Sequence, residues 1–211
     1  MCYLRPDCPQ SGDNGPTSGT NWLTMEQIDH RQKLVHILRM AYSGELAAAL
    51  AYAGHWRSVN RAREKQAIHQ IEQDEWHHRQ HLLDMLADLG EKPTAWRDCM
   101  MRCLGYLIFA SCFVSPWFFA MYFAGRLEEG NIVEYKNAAQ HASALGLTEL
   151  AKTLMVFSAK EEEHEAYFFN VVRAHWMLKP MKAVFTWGPG PGAPAKPIGG
   201  KPWMELPSSP D

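Results

Sequence analysis

Glu75 and His78 stand three residues apart in the stretch Gln73-Asp74-Glu75-Trp76-His77-His78-Arg79. The surrounding segment has no helix breaker, so both side chains fall on one helical face. Ile68, Ile71, Leu82 and Met85 continue that face at spacings of three and four, which marks it as a core face. A carboxylate and an imidazole therefore occupy places where leucines belong. A buried carboxylate without a partner is costly, and a metal ion is the partner that satisfies both groups at once.

A single Glu-x-x-His is weak evidence, because about one arises by chance in a chain with this many Glu and His. Here the pattern recurs as Glu161-Glu162-Glu163-His164, preceded on its face by Leu154 and Phe157 and followed by Phe168, Val171 and Val172. A lone Glu on an apolar helical face precedes each copy, Glu45 before the first and Glu128 before the second. Glu128 and Glu129 are adjacent, and the stripe Phe118, Met121, Gly125, Ile132, Tyr135 selects Glu128. Tyr52, two turns beyond Glu45, and Tyr135 on the Glu128 stripe are candidate catalytic residues, with a plain core role as the competing reading of Tyr52. His69, His77 and His81 lie off the Glu75 stripe and read as solvated or capping side chains.

The elements that must position these residues are four long helices. Thr24-Met25-Glu26-Gln27 is a capping box, flanked by Leu23 and Ile28 as a hydrophobic staple, so helix 1 starts there and runs to about Val59. Its middle is nearly all alanine, which lets a neighbouring helix approach closely around Glu45. Helix 2 runs from about Arg61 to Leu89 and stops at Gly90. The third helix begins near Pro116 and runs to about Ala144, with Gly146 as its stop; the fourth runs from Thr148 to about Trp176, and Pro180 ends it.

Residues 103–125 carry no charge, a length that passes the threshold for a membrane span. Pro116 divides the run and its second half joins the Glu128 stripe, so about a dozen apolar residues remain as a crossover. Such a crossover lines a substrate channel, lies on a membrane surface, or packs in a homodimer. Residues 1–23 read as an irregular arm and 179–211 as a Pro/Gly-rich tail, with Trp187, Trp203 and Met204 placed to wrap over the bundle.

A length of 211 residues suits one domain, here the bundle over 24–178. A formal charge of −2 and a pI near 6.5 offer no basic footprint, which excludes nucleic acid as a partner. Five cysteines and a start without an apolar signal core point to a reducing, cytoplasmic setting with free thiols. Neither Cys2 with Cys8 nor Cys99 with Cys103 has the spacing of a zinc site.

Glu45 precedes Glu75 by 30 residues and Glu128 precedes Glu161 by 33, so each pair can meet across a helical hairpin. One Glu from each of two helices and one Glu-x-x-His from each of the others is how four-helix bundles hold two metal ions. Four carboxylates balance two divalent cations, and hard oxygen donors with imidazole suit iron or manganese.

These residues resemble the ferritin-like di-iron carboxylate superfamily over roughly residues 24 to 178, and within it most the demethoxyubiquinone hydroxylases of coenzyme Q synthesis. The likeness is carried by Ser43-Gly44-Glu45 with Tyr52-Ala53-Gly54, Glu75-Trp76-His77-His78 with Leu82-Leu83 and Lys92-Pro93-Thr94, Leu127-Glu128-Glu129 with Tyr135, and Glu161 to His164. The resemblance implies an all-α, ferritin-like four-helix bundle with Glu45, Glu75, His78, Glu128, Glu161 and His164 as ligands of two iron ions. It also implies an O2-activating monooxygenase that takes an apolar, quinone-like or aromatic substrate, draws on an electron donor, and meets its prenylated quinone at a membrane through the uncharged run. Two positions depart from the family pattern: Glu134 stands where His usually precedes the tyrosine, and Leu46 where a Tyr usually follows the first glutamate. The rival readings are a rubrerythrin-like oxidase or peroxidase, which here lacks a Cys-x-x-Cys iron module, an aldehyde-deformylating oxygenase, and a non-catalytic iron-binding or storage bundle.

Overall fold

The computed structural model describes residues 24–188, 190 and 193–197. Among these residues the chain is all-helical, with α1 (Met25–Ser58), α2 (Ala62–Asp88), α3 (Ala95–Ser111), α4 (Trp117–Ala144), α5 (Thr148–Val172) and α6 (Leu178–Phe185). The expected N-terminal arm, Leu23 of the staple, and Trp203 and Met204 lie outside the described residues.

The helix ends follow local chemistry. Thr24 Oγ1 accepts from the Gln27 amide at 3.2 Å and the Gln27 side chain accepts from the Thr24 amide at 3.0 Å, the reciprocal pair of a capping box. Gly90 and Gly146 adopt left-handed φ of +71° and +74°, which lets the amides of Glu91 and Leu147 reach back to Leu86 and Ala142 at 2.8 and 2.9 Å. Short connections then fold α1 on α2 and α4 on α5, and α1 packs on α4 to join the two hairpins.

The core is two apolar clusters. One gathers Ile68, Ile71, Met121, Tyr122 and Phe168; the other gathers Leu34, Leu38, Leu82, Leu86 and Leu154. In each long helix the candidate ligands fall between the clusters: Glu45 between Ala41 and Tyr52, Glu75 and His78 between Ile71 and Leu82, Glu128 between Ala124 and Tyr135, Glu161 and His164 between Phe157 and Phe168. Helical periodicity thus stacks a polar layer between two greasy ones.

Three expectations need correction. The apolar crossover is a 17-residue helix, α3, which begins at Ala95 and packs along α1. Close approach makes this packing available: a Cβ on Gly54 would lie 2.6 Å from Phe109 Cα, and one on Gly105 would lie 3.0 Å from Ala47 Cα. Arg79 also ties α2 to Asp98 of α3 at 2.9 Å. The sequence concealed this helix because its outward side is apolar too, with Met100, Leu104 and Leu107 exposed, so no amphipathic period marks it.

The second correction concerns α5, which stops at Val172 rather than near Trp176. The third concerns Pro180, which ends no helix and sits in the first turn of α6, where its missing N–H would have had no helical acceptor. Beyond α6, Trp187 is buried in the space Gly125 leaves open, its indole N–H donating to Glu165 at 3.0 Å and its carbonyl accepting from the Tyr122 hydroxyl at 2.8 Å. No helix among the described residues is long and apolar enough to cross a membrane.

Replacing Gly54 with Ala forces a methyl group into the Phe109 backbone. We expect a loss of about 1–3 kcal/mol, read as a lower urea midpoint at unchanged slope.

Candidate metal centre

All six candidate ligands meet in the polar layer, each no more than 3% exposed. Glu45, Glu75, His78 and Glu161 form one group and Glu75, Glu128, Glu161 and His164 a second, with the ligand atoms of each group within 4.8 Å of one another. Glu75 and Glu161 belong to both groups, as bridging carboxylates would. Glu45 with His78 and Glu128 with His164 occupy the two ends. Glu129 is exposed, as its stripe implied, and His77 and His81 contact each other at 3.0 Å on the outside of α2.

The donors do not satisfy one another. Glu45 Oε2, both oxygens of Glu75 and of Glu161, and Nδ1 of His78 and of His164 are buried without a hydrogen-bond partner. His78 Nδ1 lies 2.9 Å from Glu161 Oε1 but off the line of a hydrogen bond. Other buried glutamates are treated differently: Glu64, Glu72 and Glu165 each accept an indole N–H, from Trp117 at 3.0 Å, Trp56 at 2.6 Å and Trp187 at 3.0 Å. The unpaired oxygens and nitrogens converge on two points, and their hard-donor chemistry fits two iron or manganese ions.

The charge balance agrees. Burial, reinforced by the neighbouring carboxylates Glu45 and Glu161, pushes Glu75 well above the usual carboxylate range. Burial likewise raises Glu128, with Glu161 adding to it, and raises Glu45. For Glu161 burial acts upward too, but the imidazoles of His164 and His78 hold it well below. Burial opposes the charge on His164, yet Asp74 and Glu161 lift it to about 9.

Two further layers orient the ligands. Tyr52 of α1 donates its hydroxyl to Glu128 of α4, while Tyr135 of α4 donates to Glu45 of α1. Each tyrosine lies seven residues beyond one terminal glutamate and bonds the other, so the pair is crossed between hairpins. Burial, and then the charge of Glu128 and of Glu45 respectively, raise both phenols well above their usual range, so both stay protonated donors. Asn131 donates to the second Glu128 oxygen at 3.3 Å.

Asp74, which the sequence reading passed over, accepts from His164 Nε2 at 3.1 Å and turns Nδ1 toward the cluster. Its signal was the acidic residue directly before Glu75, on the shoulder of the stripe. Glu134 is pushed to about 7 by burial and the charge of Glu45, with Arg97 opposing.

Against α3 the site opens on a cavity of about 460 Å³, lined mostly by apolar side chains of α1, α3 and α4, with Glu128 and Tyr52 in its wall. Cys112 lines it, while Cys99 and Cys103 are exposed free thiols.

Long helices carrying two terminal glutamates and two crossed Glu-x-x-His pairs define a ferritin-like carboxylate bundle. The profile of the family described as "Ubiquinone biosynthesis protein COQ7" matches residues 32–165, a span that holds all six candidate ligands. The chain belongs to this family of ferritin-like di-iron demethoxyubiquinone hydroxylases. No curated protein and no solved structure matches the chain.

In the metal-free protein the raised groups make folding proton-dependent. A group whose folded pKa is raised contributes stability below its unfolded value and loses it as pH climbs through the folded one. For His164 that window runs from 6.5 to about 9, and Glu45, Glu75 and Glu128 act in the same direction from 4.5 upward. Glu161 is the opposite case, contributing above 4.5 and losing as pH falls. Melting followed by circular dichroism with chelator present should therefore show Tm falling from about pH 6.5 to 9, and divalent iron should flatten the slope.

Proposed function

We propose that this chain is an oxygen-dependent hydroxylase of an apolar, quinone-like ring, with two iron ions held by Glu45, Glu75, His78, Glu128, Glu161 and His164. The observation that carries the reading is that Glu128 belongs both to the carboxylate cluster and to the wall of the apolar cavity. A ring in that cavity reaches the cluster at its Glu128 end without passing through water. Iron bound there supplies the redox chemistry that activates dioxygen for insertion of one oxygen atom into a ring C–H bond, with further electrons from a separate donor.

The chain's own groups do the positioning. Tyr52 and Tyr135 keep their protons on Oη and hold Glu128 and Glu45 by hydrogen bonds, so the terminal carboxylates face inward. Asp74 fixes the tautomer and ring plane of His164. Ala48, Ala51 and Ala124 keep the near wall small, and Phe119, Phe123 and Leu127 make it apolar, which excludes water beside the reacting carbon.

Membership in a ubiquinone-biosynthesis family supports a quinone-like substrate. The purified protein, supplied with iron, oxygen and reductant, should hydroxylate a short-chain demethoxyquinone. Metal analysis should find about two irons per chain, falling sharply in Glu128→Ala. Full metal content in that variant removes Glu128 from the ligand set, and no turnover of any quinone removes the substrate class.

The reading extends to how an isoprenoid-tailed substrate arrives. Leu107 and Phe113 are exposed and flank the cavity-lining Ile108, Ser111 and Cys112, while Phe123 and Leu127 line the cavity and are themselves exposed. This face supports docking on a lipid surface, from which a prenylated quinone enters. The protein should float with phospholipid vesicles, and Leu107→Glu with Leu127→Glu should abolish flotation. No flotation together with a dimer mass assigns the face to a second copy instead.

A further inference from the structure

His55 is used by no step above. It is 3% exposed, lies on α1 one turn beyond Tyr52, and lines the same cavity as Glu128. Its ring is stacked against Tyr52 and Phe168, at centroid distances of 6.3 and 6.0 Å and interplanar angles of 16° and 11°. Those contacts fix the ring plane. Its Nε2 is buried with no hydrogen-bond partner among the described residues.

The rest of the cavity wall sharpens the point. Tyr52 and Asn131 donate to Glu128, Ser111 donates to the Ile108 carbonyl at 2.7 Å, and the Cys112 thiol points to the Ala51 carbonyl at 3.9 Å. Among the lining side chains, His55 Nε2 is therefore the one buried nitrogen or oxygen left without a partner. A buried polar atom left unmatched in this way weakens the fold unless a ligand completes it. Burial also drives the imidazole down to about 4, so near neutral pH it is uncharged and suits a neutral ligand rather than an anion.

We propose that His55 Nε2–H is the polar anchor of this cavity, donating a hydrogen bond to a ring carbonyl of the substrate and so selecting an oxygen-bearing ring over a plain hydrocarbon. The proposal rests on the hydroxylase reading and assigns the residue that recognises its substrate. The geometry gives the anchor a positioning role. Tyr52 bonds Glu128 at the cluster, and His55 stacks behind Tyr52, so a carbonyl held at His55 sets how far the ring reaches toward Glu128.

The test uses the full chain loaded with iron under argon, with binding followed by calorimetry. The probes are a decyl-substituted 1,4-benzoquinone and decylbenzene, which share the tail and differ in the ring oxygens. Wild type should prefer the quinone by roughly tenfold, the share expected of one well-made buried hydrogen bond. His55→Leu should lose that preference through weaker quinone binding while holding decylbenzene unchanged. Its Tm should equal or exceed that of wild type, because an unmatched buried polar atom has been removed. His55→Gln, which keeps an N–H donor, should retain most of the preference.

A His55→Leu protein that still prefers the quinone overturns the anchor and leaves the hydroxylase reading standing. A His55→Leu protein that melts lower and loses both probes equally marks a packing histidine and overturns it too. A wild type that does not discriminate between the probes overturns the quinone reading itself, and the anchor with it.

Discussion

Four carboxylates and two imidazoles are packed into the middle of a helical bundle with seven of their oxygens and nitrogens unmatched by any protein group. Desolvating that much negative charge is too costly for folding to absorb without cations or protons. The fold is not careless with buried acids elsewhere, since Glu64, Glu72 and Glu165 each have an indole N–H within hydrogen-bonding distance. The contrast locates the one layer where the protein's own donors are withheld. Long helices follow from this constraint, because ligands from four helices meet only if each helix extends well past the site and buries apolar residues on both sides of it. The two core clusters supply that burial.

Support for the ligands is shared between hairpins rather than kept within them. Each tyrosine follows one terminal glutamate by seven residues yet bonds the glutamate of the other hairpin. Asp74 of α2 orients His164 of α5 in the same cross-bundle manner. Neither hairpin can complete the site alone, so the joining of α1 with α4 and the assembly of the ligand set are one event. The six ligands match a family of di-iron hydroxylases, while Glu134 and Leu46 depart from it close to the site.

α1 works on two sides. Its inward face carries Glu45 and Tyr52, and its small residues, Ala47 and Gly54, admit α3 at a separation that a larger residue would forbid. That packing walls off an apolar cavity whose inner end is Glu128 and whose outer residues Phe123 and Leu127 are exposed. A greasy passage leading to a charged, dry cluster is what an apolar ring needs to reach metal without meeting solvent. The stack of Tyr52, His55 and Phe168 forms a rigid shelf along that passage.

Much of this was legible in residue order alone. Helical period and apolar neighbours singled out Glu45, Glu75, His78, Glu128, Glu161 and His164, because burial of a polar side chain on a core stripe is a local pattern. The capping box at Thr24 and the glycine stops at Gly90 and Gly146 were equally local, since each is set by backbone groups within one turn. Helix α3 was not legible, because its outer face is as apolar as its inner one and leaves no period to read. Nor was α6, where Pro180 looked like a stop until the chain's turn placed it at a helix start. Which carboxylates are shared, which tyrosine serves which glutamate, and where His55 points its unmatched nitrogen depend on how helices cross. Sequence spacing determined which side chains face the core, and only packing between distant helices decided which of them meet there.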